Sequence, residues 1–485
     1  MNPIPTAVDV AIIGSGPAGA TYARILSERA PGLRVALFEA GPLVSDPPGA
    51  HVKNIRSPEE RAAAQRLSEG PRPTTGTDTL EDYAGRLQRP GTFLLPEDGD
   101  MPAAAMSANV GGMAAHWTGA CPRPGESERI GFLPAIDQWL TEAERLLGVS
   151  AEVLADAPLA GEVRRRLAAA LDADRASDRT VRPMPLAVRA EPDGHLHWSG
   201  SDVVFGDATR SNPGFSLHPS SLVTRVLTED DAVRGVLVRT VEDGVEHQVA
   251  ARFVVVAADS LRTPQVLFAS GIRPPALGRH LNDQPQIVYA VQLRDIPSTA
   301  AHTGISGVSW VPFTDAHPFH GQVMQLDASP VPFAGEVVPG SIVGLGWFCA
   351  KDIQASDRIE FSDTEVDDHG MPAMRIHYSL TSHDLANLET AEKEIQQAAA
   401  ALGDPLDDRP PLRFPAGASL HYQGSVRMGP VDDGTSVCGP DSRVWGVKGL
   451  YVAGNGVIPT ATACNPTLTG VALAVGGALA ICEEI

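Results

Sequence analysis

Val8-Asp9-Val10-Ala11-Ile12-Ile13-Gly14-Ser15-Gly16-Pro17-Ala18-Gly19-Ala20 decides the fold of this chain. The apolar run Val10 to Ile13 reads as a buried strand. It breaks directly into Gly14-x-Gly16-x-x-Gly19, and Ala20 to Leu26 continues at helical spacing. A strand–glycine–helix junction of this kind binds a dinucleotide. Gly14 makes the tight turn, Gly16 lets a pyrophosphate approach bare backbone, and Gly19 lets helix and strand pack closely. The phosphates then face the positive end of a helix. A second strand follows in Arg34 to Ala40. Its Glu39 lies at the distance where an acid hydrogen-bonds a ribose hydroxyl.

Composition bounds what surrounds that motif. With 485 residues the chain holds two domains, or one domain with a large insertion. Hydrophobic residues at 43% and charged ones at 20% are ordinary for a globular protein. A net charge of −21 argues against nucleic acid, whose phosphates demand clustered Lys and Arg. Cys121, Cys349, Cys438, Cys464 and Cys482 are scattered without paired spacing, which fits reduced thiols rather than a disulfide framework or a zinc site. No other cluster has metal-ligand spacing, and Gly-x-Ser-x-Gly is absent, which speaks against a hydrolase. The nucleotide strand begins too early to leave room for a signal peptide. The longest apolar run, Gly470 to Cys482, is short and glycine-rich for a bilayer span. The expectation is a cytoplasmic protein with no membrane partner.

After Gly41 the periodicity dissolves, with one helical patch at Pro58 to Leu67. Ser107 to Ala120 is nearly uncharged and dense in small residues, as in stretches that lie against a ligand or another backbone. Ile136 to Leu147 and Leu159 to Leu171 read as amphipathic helices. Strand signals return at Ser216 to His218, Val223 to Leu227, Gly235 to Arg239 and Ala251 to Ala257, and a helix follows over Arg262 to Ser270. From Gln286 to about Leu412 alternating segments predict antiparallel strands. The end reverts to α/β, with a strand at Gly449 to Gly454 and an apolar helix at Leu468 to Ile481. The pattern predicts an α/β Rossmann-like nucleotide domain with an inserted substrate domain, built on a mainly antiparallel sheet with helices. The nucleotide domain takes 1–57, 106–135, 202–285 and 413–485; the substrate domain and helical insertions take 58–105, 136–201 and 286–412.

Four segments carry a resemblance over nearly the whole chain. Ile12 to Glu39, Val254-Val255-Val256-Ala257-Ala258-Asp259-Ser260-Leu261-Arg262-Thr263-Pro264, Leu277-Gly278-Arg279-His280-Leu281-Asn282-Asp283, and Gly454-Asn455-Gly456 with Asn465-Pro466-Thr467 resemble the glucose–methanol–choline (GMC) flavoprotein oxidoreductases. Asp259 stands where that family commonly has Gly. Gly111-Gly112-Met113-Ala114-Ala115-His116-Trp117-Thr118 looks most like pyranose 2-oxidase and the bacterial C-glycoside 3-oxidases. His317 to Asp327 resembles the stretch leading into the pyranose oxidase substrate loop, with Met324 and Leu326 in place of polar residues. That change favours a sugar bearing an apolar aglycone over free glucose.

The resemblance implies FAD as cofactor, held by Gly14, Gly16, Gly19, Glu39, Gly111, Gly112, His116, Trp117, Thr118, Val223, Asn455, Pro466 and Thr467. In pyranose 2-oxidase the histidine corresponding to His116 is joined to the flavin; a flavin lined but not bonded by His116 stands as the alternative. A single Gly-x-Gly-x-x-Gly leaves no second nucleotide fold for NAD(P)H, so the organic substrate reduces the flavin. Oxidising an alcohol needs a base and a hydride path to flavin N5. His421 matches the family's catalytic histidine, and Asn465 its partner, which holds the substrate oxygen. The helix after Pro466 directs its positive end at the flavin by the same analogy. Arg89, Gln284 and Gln325 are candidate ligands for substrate, and His280, His317 and His320 read as structural. The expected reaction oxidises a secondary ring hydroxyl, C3 of a C-glycoside favoured, with O₂ as acceptor. Pyranose 2-oxidase chemistry on free sugars and a quinone-type acceptor remain the alternatives, and oligomeric state stays open.

Overall fold

The computed structural model describes residues 3–68, 93–94, 98–296, 307–326, 340–406 and 408–485. The opening motif folds as strand β1 (Ala7–Ile13), a helix over Pro17–Arg29 and strand β2 (Val35–Phe38). Four later strands join them: β3 (Phe215–His218), β4 (Ser221–Glu229), β5 (Ala232–Thr240) and β6 (Glu246–Val256). The order is β3-β2-β1-β6-β5-β4, with Leu450–Val452 added beside β6. β3, β2, β1, β6 and Leu450–Val452 run parallel, while β5 runs antiparallel to both β6 and β4. Parallel strands covered on both faces need continuous apolar runs. Val35 to Phe38 and Phe253 to Val256 supply them, each residue at most 3% exposed.

The last helix, Thr467–Glu484, is long and apolar enough by length and composition to cross a bilayer, so the sequence expectation undercounts it; yet 67% of it is buried within the protein. It packs against Pro17–Arg29 and Ile136–Leu147. Its glycines serve that packing: a Cβ on Gly476 would come within 2.6 Å of the Trp139 ring, and one on Gly477 would strike the Tyr22 hydroxyl. Ile136–Leu147 thus belongs to the nucleotide-domain core, which holds Ile136, Leu140, Ala143, Leu146 and Leu147. It is one of the helical insertions that the sequence reading grouped with the substrate domain, and it packs on the nucleotide-domain side. An apolar stripe fixes that a helix is covered, and says nothing of which sheet covers it.

The second sheet is antiparallel, as expected. Its main strands are β7 (Gln286–Leu293), β8 (Val308–Val311), β9 (Phe319–Leu326) and β10 (Ile342–Cys349), in the order β7-β10-β9-β8. Helices Ala160–Leu171 and Ser382–Leu402 cover one face. The second of these, 21 residues long, lies where the sequence reading expected strands. Its signals are local. Thr381 Oγ1 accepts from Asp384 N at 3.0 Å and the Asp384 carboxylate accepts from Thr381 N at 2.8 Å, a capping box. Leu388, Ala391, Ile395, Ala398 and Leu402 then repeat at helical spacing. The same cap gathers Asp352, His383 and Asp384 within metal-ligand reach of one another. These groups already serve the cap: Asp384 also accepts from Asp352 N at 2.8 Å, and Asp352 accepts from Thr381 Oγ1 at 2.7 Å.

Candidate active site

The nucleotide motif opens onto a cavity of about 560 Å³ that runs from Glu39 to His421. Gly14 and Gly16 line it, as do Glu39, Gly112, His116, Trp117, Thr118, Val223, Asn455 and Thr467. Gly19, Gly111 and Pro466 act from behind the wall. A Cβ on Gly19 would collide with the Gly14 carbonyl, Gly111 donates its N–H to Ser15 Oγ at 2.9 Å, and Pro466 precedes the last helix. Gly16 is different: a Cβ there would meet nothing within 4 Å, because it faces the cavity. This is the close backbone approach that a pyrophosphate requires.

Glu39 is held rigidly. One of its oxygens accepts from Ser15 N at 3.0 Å and Ser15 Oγ at 2.6 Å, the other from Gly41 N at 2.9 Å. Burial raises its carboxyl above the usual range, and the Ser15 bonds act against that. A carboxylate retains further acceptor sites for a ribose. Ser15 is the residue that sequence reasoning passed over here, although it sits inside the motif. Arg262, Gln265, His369 and Met371 also line the cavity. Asp259 lies there with φ +74, which is why glycine is common at this position. Its carboxylate accepts from Leu261 N at 2.8 Å, and burial pushes it up to about 6.

Opposite the nucleotide motif stand His421 and Asn465. Asn465 Nδ2 is 3.2 Å from His421 Nε2, and both residues line the cavity. The Phe348 ring of β10 packs on His421 with centroids 5.1 Å apart. Burial pushes His421 down to about 4, so the imidazole is neutral near pH 7. Asp283 fixes the loop that carries it, accepting from Gly417 N at 3.1 Å, from Ser419 Oγ and from His421 N at 3.3 Å. Leu420 is held at φ +59 immediately before it, local strain of the kind stored at working sites. Glu128, 1% exposed, holds the other partner's loop, accepting from Ala463 N and Cys464 N at 2.9 Å each. No sequence signal marked Glu128, whose role exists only because remote segments meet.

The three substrate candidates fare differently. Arg89 lies outside the described residues. Gln284 is 1% exposed and turned to His421 and the Asn465 loop: its Oε1 lies 2.7 Å from His421 Nδ1, and its Nε2 2.9 and 2.8 Å from the Thr462 and Cys464 carbonyls. Gln325 is not brought to the site. Side chains alternate along β9, and Gln325 shares the face of Phe319 and Val323, which packs under the helices. Its Nε2 donates to Pro158 O at 2.8 Å and Gly340 O at 3.1 Å. The opposite face carries His320 and Gln322. His320 pairs in register with Phe348, the ring that also touches His421. Gln322, not Gln325, is therefore on the side of His421 and Asn465. His320 itself is buried and accepts from Trp310 Nε1 at 3.1 Å.

A nucleotide cavity ending at a buried neutral histidine with an asparagine beside it suits an alcohol oxidoreductase. The chain belongs to the GMC oxidoreductases: family models described as GMC oxidoreductase match residues 136–286 and 355–474, and an NAD(P)-binding Rossmann-like model matches 12–71. Among relatives, it is 62% identical to a C-glycoside 3-oxidase of Microbacterium trichothecenolyticum, covering 99% of this chain and 98% of that one. It is 59% identical to a C-glycoside 3-oxidase of Arthrobacter globiformis, over 99% and 96%. To the pyranose 2-oxidase of Tricholoma matsutake it is 31% identical, over 98% and 93%.

Proposed function

We propose that this enzyme uses FAD to oxidise the C3 hydroxyl of a C-glycoside to a ketone, with O₂ as acceptor and H₂O₂ as second product. The observation that carries this reading is the His421–Asn465 pair at the end of a nucleotide cavity, in a chain so similar to two C-glycoside 3-oxidases. The open space beyond Gly16, the rigid Glu39 and the helix end at Thr467 fit a dinucleotide flavin. FAD held there would supply the hydride acceptor and the route of two electrons to O₂. The protein supplies the rest. His421 Nε2 takes the hydroxyl proton, and Asn465 Nδ2 donates to the same oxygen and holds it in line. Met324 and Leu326, beside Gln322, make the sugar side of the second sheet less polar than a free hexose favours. The five free cysteines suit a reducing compartment, which is the ground for placing the enzyme in the cytoplasm.

Anaerobic mixing of the purified flavoprotein with a C-glycoside should bleach the flavin rapidly, and free glucose should do so slowly. Bleaching by glucose alone would move the enzyme to C2 chemistry on free sugars.

Two further expectations arise from the site. The reactive base is neutral imidazole, and its folded value of about 4 lies below the ordinary 6.5. Activity therefore persists as pH falls through 6.5 and is lost only as His421 protonates near 4. A kcat/KM profile should show its acid limb there. A limb near 6 that Asp283→Asn abolishes would assign the loss to Asp283 instead. Thr467 begins a helix with no side-chain cap and no acid in its first turn. Thr467→Asp should make the flavin potential more negative by roughly 20 mV, about 1 kcal/mol for two electrons. An unmoved potential would remove the helix end from the account.

A further inference from the structure

We propose that Gln284 is a positioning residue that fixes the hydrogen of His421 on Nδ1 and ties His421 to the loop carrying Asn465. The proposal rests on His421 being the base. The argument starts at the far end of the Gln284 side chain. The atom lying 2.9 Å from the Thr462 carbonyl oxygen and 2.8 Å from the Cys464 carbonyl oxygen faces two acceptors. Only the amide nitrogen can sit there, donating one N–H to each. A flipped amide would press oxygen against two carbonyl oxygens in a site 1% exposed.

Oε1 is thereby turned to His421 Nδ1, 2.7 Å away, and an amide oxygen only accepts. Nδ1 must carry the hydrogen. A neutral imidazole has one N–H, so Nε2 is left with its lone pair. The third member is compatible with this. Asn465 meets Nε2 through Nδ2, a donor, at 3.2 Å. Its Oδ1 is buried with no partner among the described residues. Every hydrogen in the row follows from two backbone carbonyls. The Nε2 lone pair is held by the Asn465 amide, and a substrate hydroxyl reaches it by displacing that contact.

The same amide sets the spacing of the pair. Thr462 and Cys464 belong to the segment that ends at Asn465, so one side chain grips both partners. Glu128 pins that segment from its other edge through Ala463 N and Cys464 N. With both N–H groups of Gln284 spent on the loop, none is left to donate to a sugar hydroxyl. This separates positioning from the substrate-binding role expected from sequence.

The test has a readout that needs no substrate. In holoenzyme labelled with ¹⁵N-histidine, the His421 ring signals, identified by their loss in His421→Gln, should show a single tautomer with hydrogen on Nδ1. In Gln284→Leu that signature should give way to a mixture or to the Nε2–H form. With a C-glycoside, the limiting rate of flavin reduction in Gln284→Leu should fall by about 10²-fold, while the substrate dissociation constant changes less than about threefold. Gln284→Glu keeps an acceptor on Nδ1–H but sets its second oxygen against the Thr462 and Cys464 carbonyls, so the ring signature should stay on Nδ1 while the limiting reduction rate still falls. It also carries the test if Gln284→Leu loses its flavin. An unchanged ring signature in Gln284→Leu, or a weakened dissociation constant with the reduction rate intact, overturns the proposal. If no C-glycoside reduces the wild-type flavin, the functional reading fails by itself, and the ring signature still decides the role of Gln284.

Discussion

Replacing His421 by glutamine should lower the rate of flavin reduction by about 10³–10⁴-fold and leave the flavin bound. Glutamine can hydrogen-bond a hydroxyl but has no lone pair that accepts its proton near neutral pH. The alternative, loss of structure, is countered by what His421 touches. Its ring lies between Phe348, Gln284 and Asn465 at the cavity, and its loop is held separately by Asp283 through the Gly417 and His421 backbone. Stopped-flow absorbance of the yellow protein at saturating glycoside reads the rate directly. A loss under about tenfold would mean that proton removal is not the work of this residue.

A second large effect should come from the cofactor's approach, and two neighbouring glycines separate its causes. Gly16→Val should fold like the wild type and emerge without flavin, its retained cofactor falling by at least about tenfold, or 1.4 kcal/mol. Space beyond Gly16 is open within the protein, so the added side chain displaces only what binds there. Gly14→Ala should damage both folding and binding. Gly14 sits at φ +100, and a Cβ would come within 2.8 Å of the Ala257 carbonyl carbon, where β1 and β6 are paired. Circular dichroism together with the flavin-to-protein absorbance ratio distinguishes the two. Flavin retained at full occupancy in Gly16→Val would place the pyrophosphate elsewhere.

The parts legible in the sequence were those whose physics is local. The Gly14–Gly19 turn, the apolar strands β1, β2 and β6, and the helix Ile136–Leu147 each announce themselves within a dozen residues. His421 and Asn465 were singled out through family motifs, and the fold brings them to 3.2 Å. Relations between remote segments were not legible. Gln284 looked like a sugar ligand because its partners lie 137 to 180 residues away. Gln325 was named without knowing its strand face: each one-residue step inverts that face, and only Phe348 shows which one meets His421. The helix Ser382–Leu402 was missed for a lesser reason: its Thr381–Asp384 capping box was readable, and the antiparallel pattern around it was extended across it.

The central claim is that hydride leaves C3 of a glycoside while His421 takes the hydroxyl proton. It is tested most directly by the isotope effect on flavin reduction with C-glycosides deuterated at single ring carbons. The account predicts a primary effect with deuterium at C3 and none at C2. A primary effect at C2, with C3 silent, would contradict it.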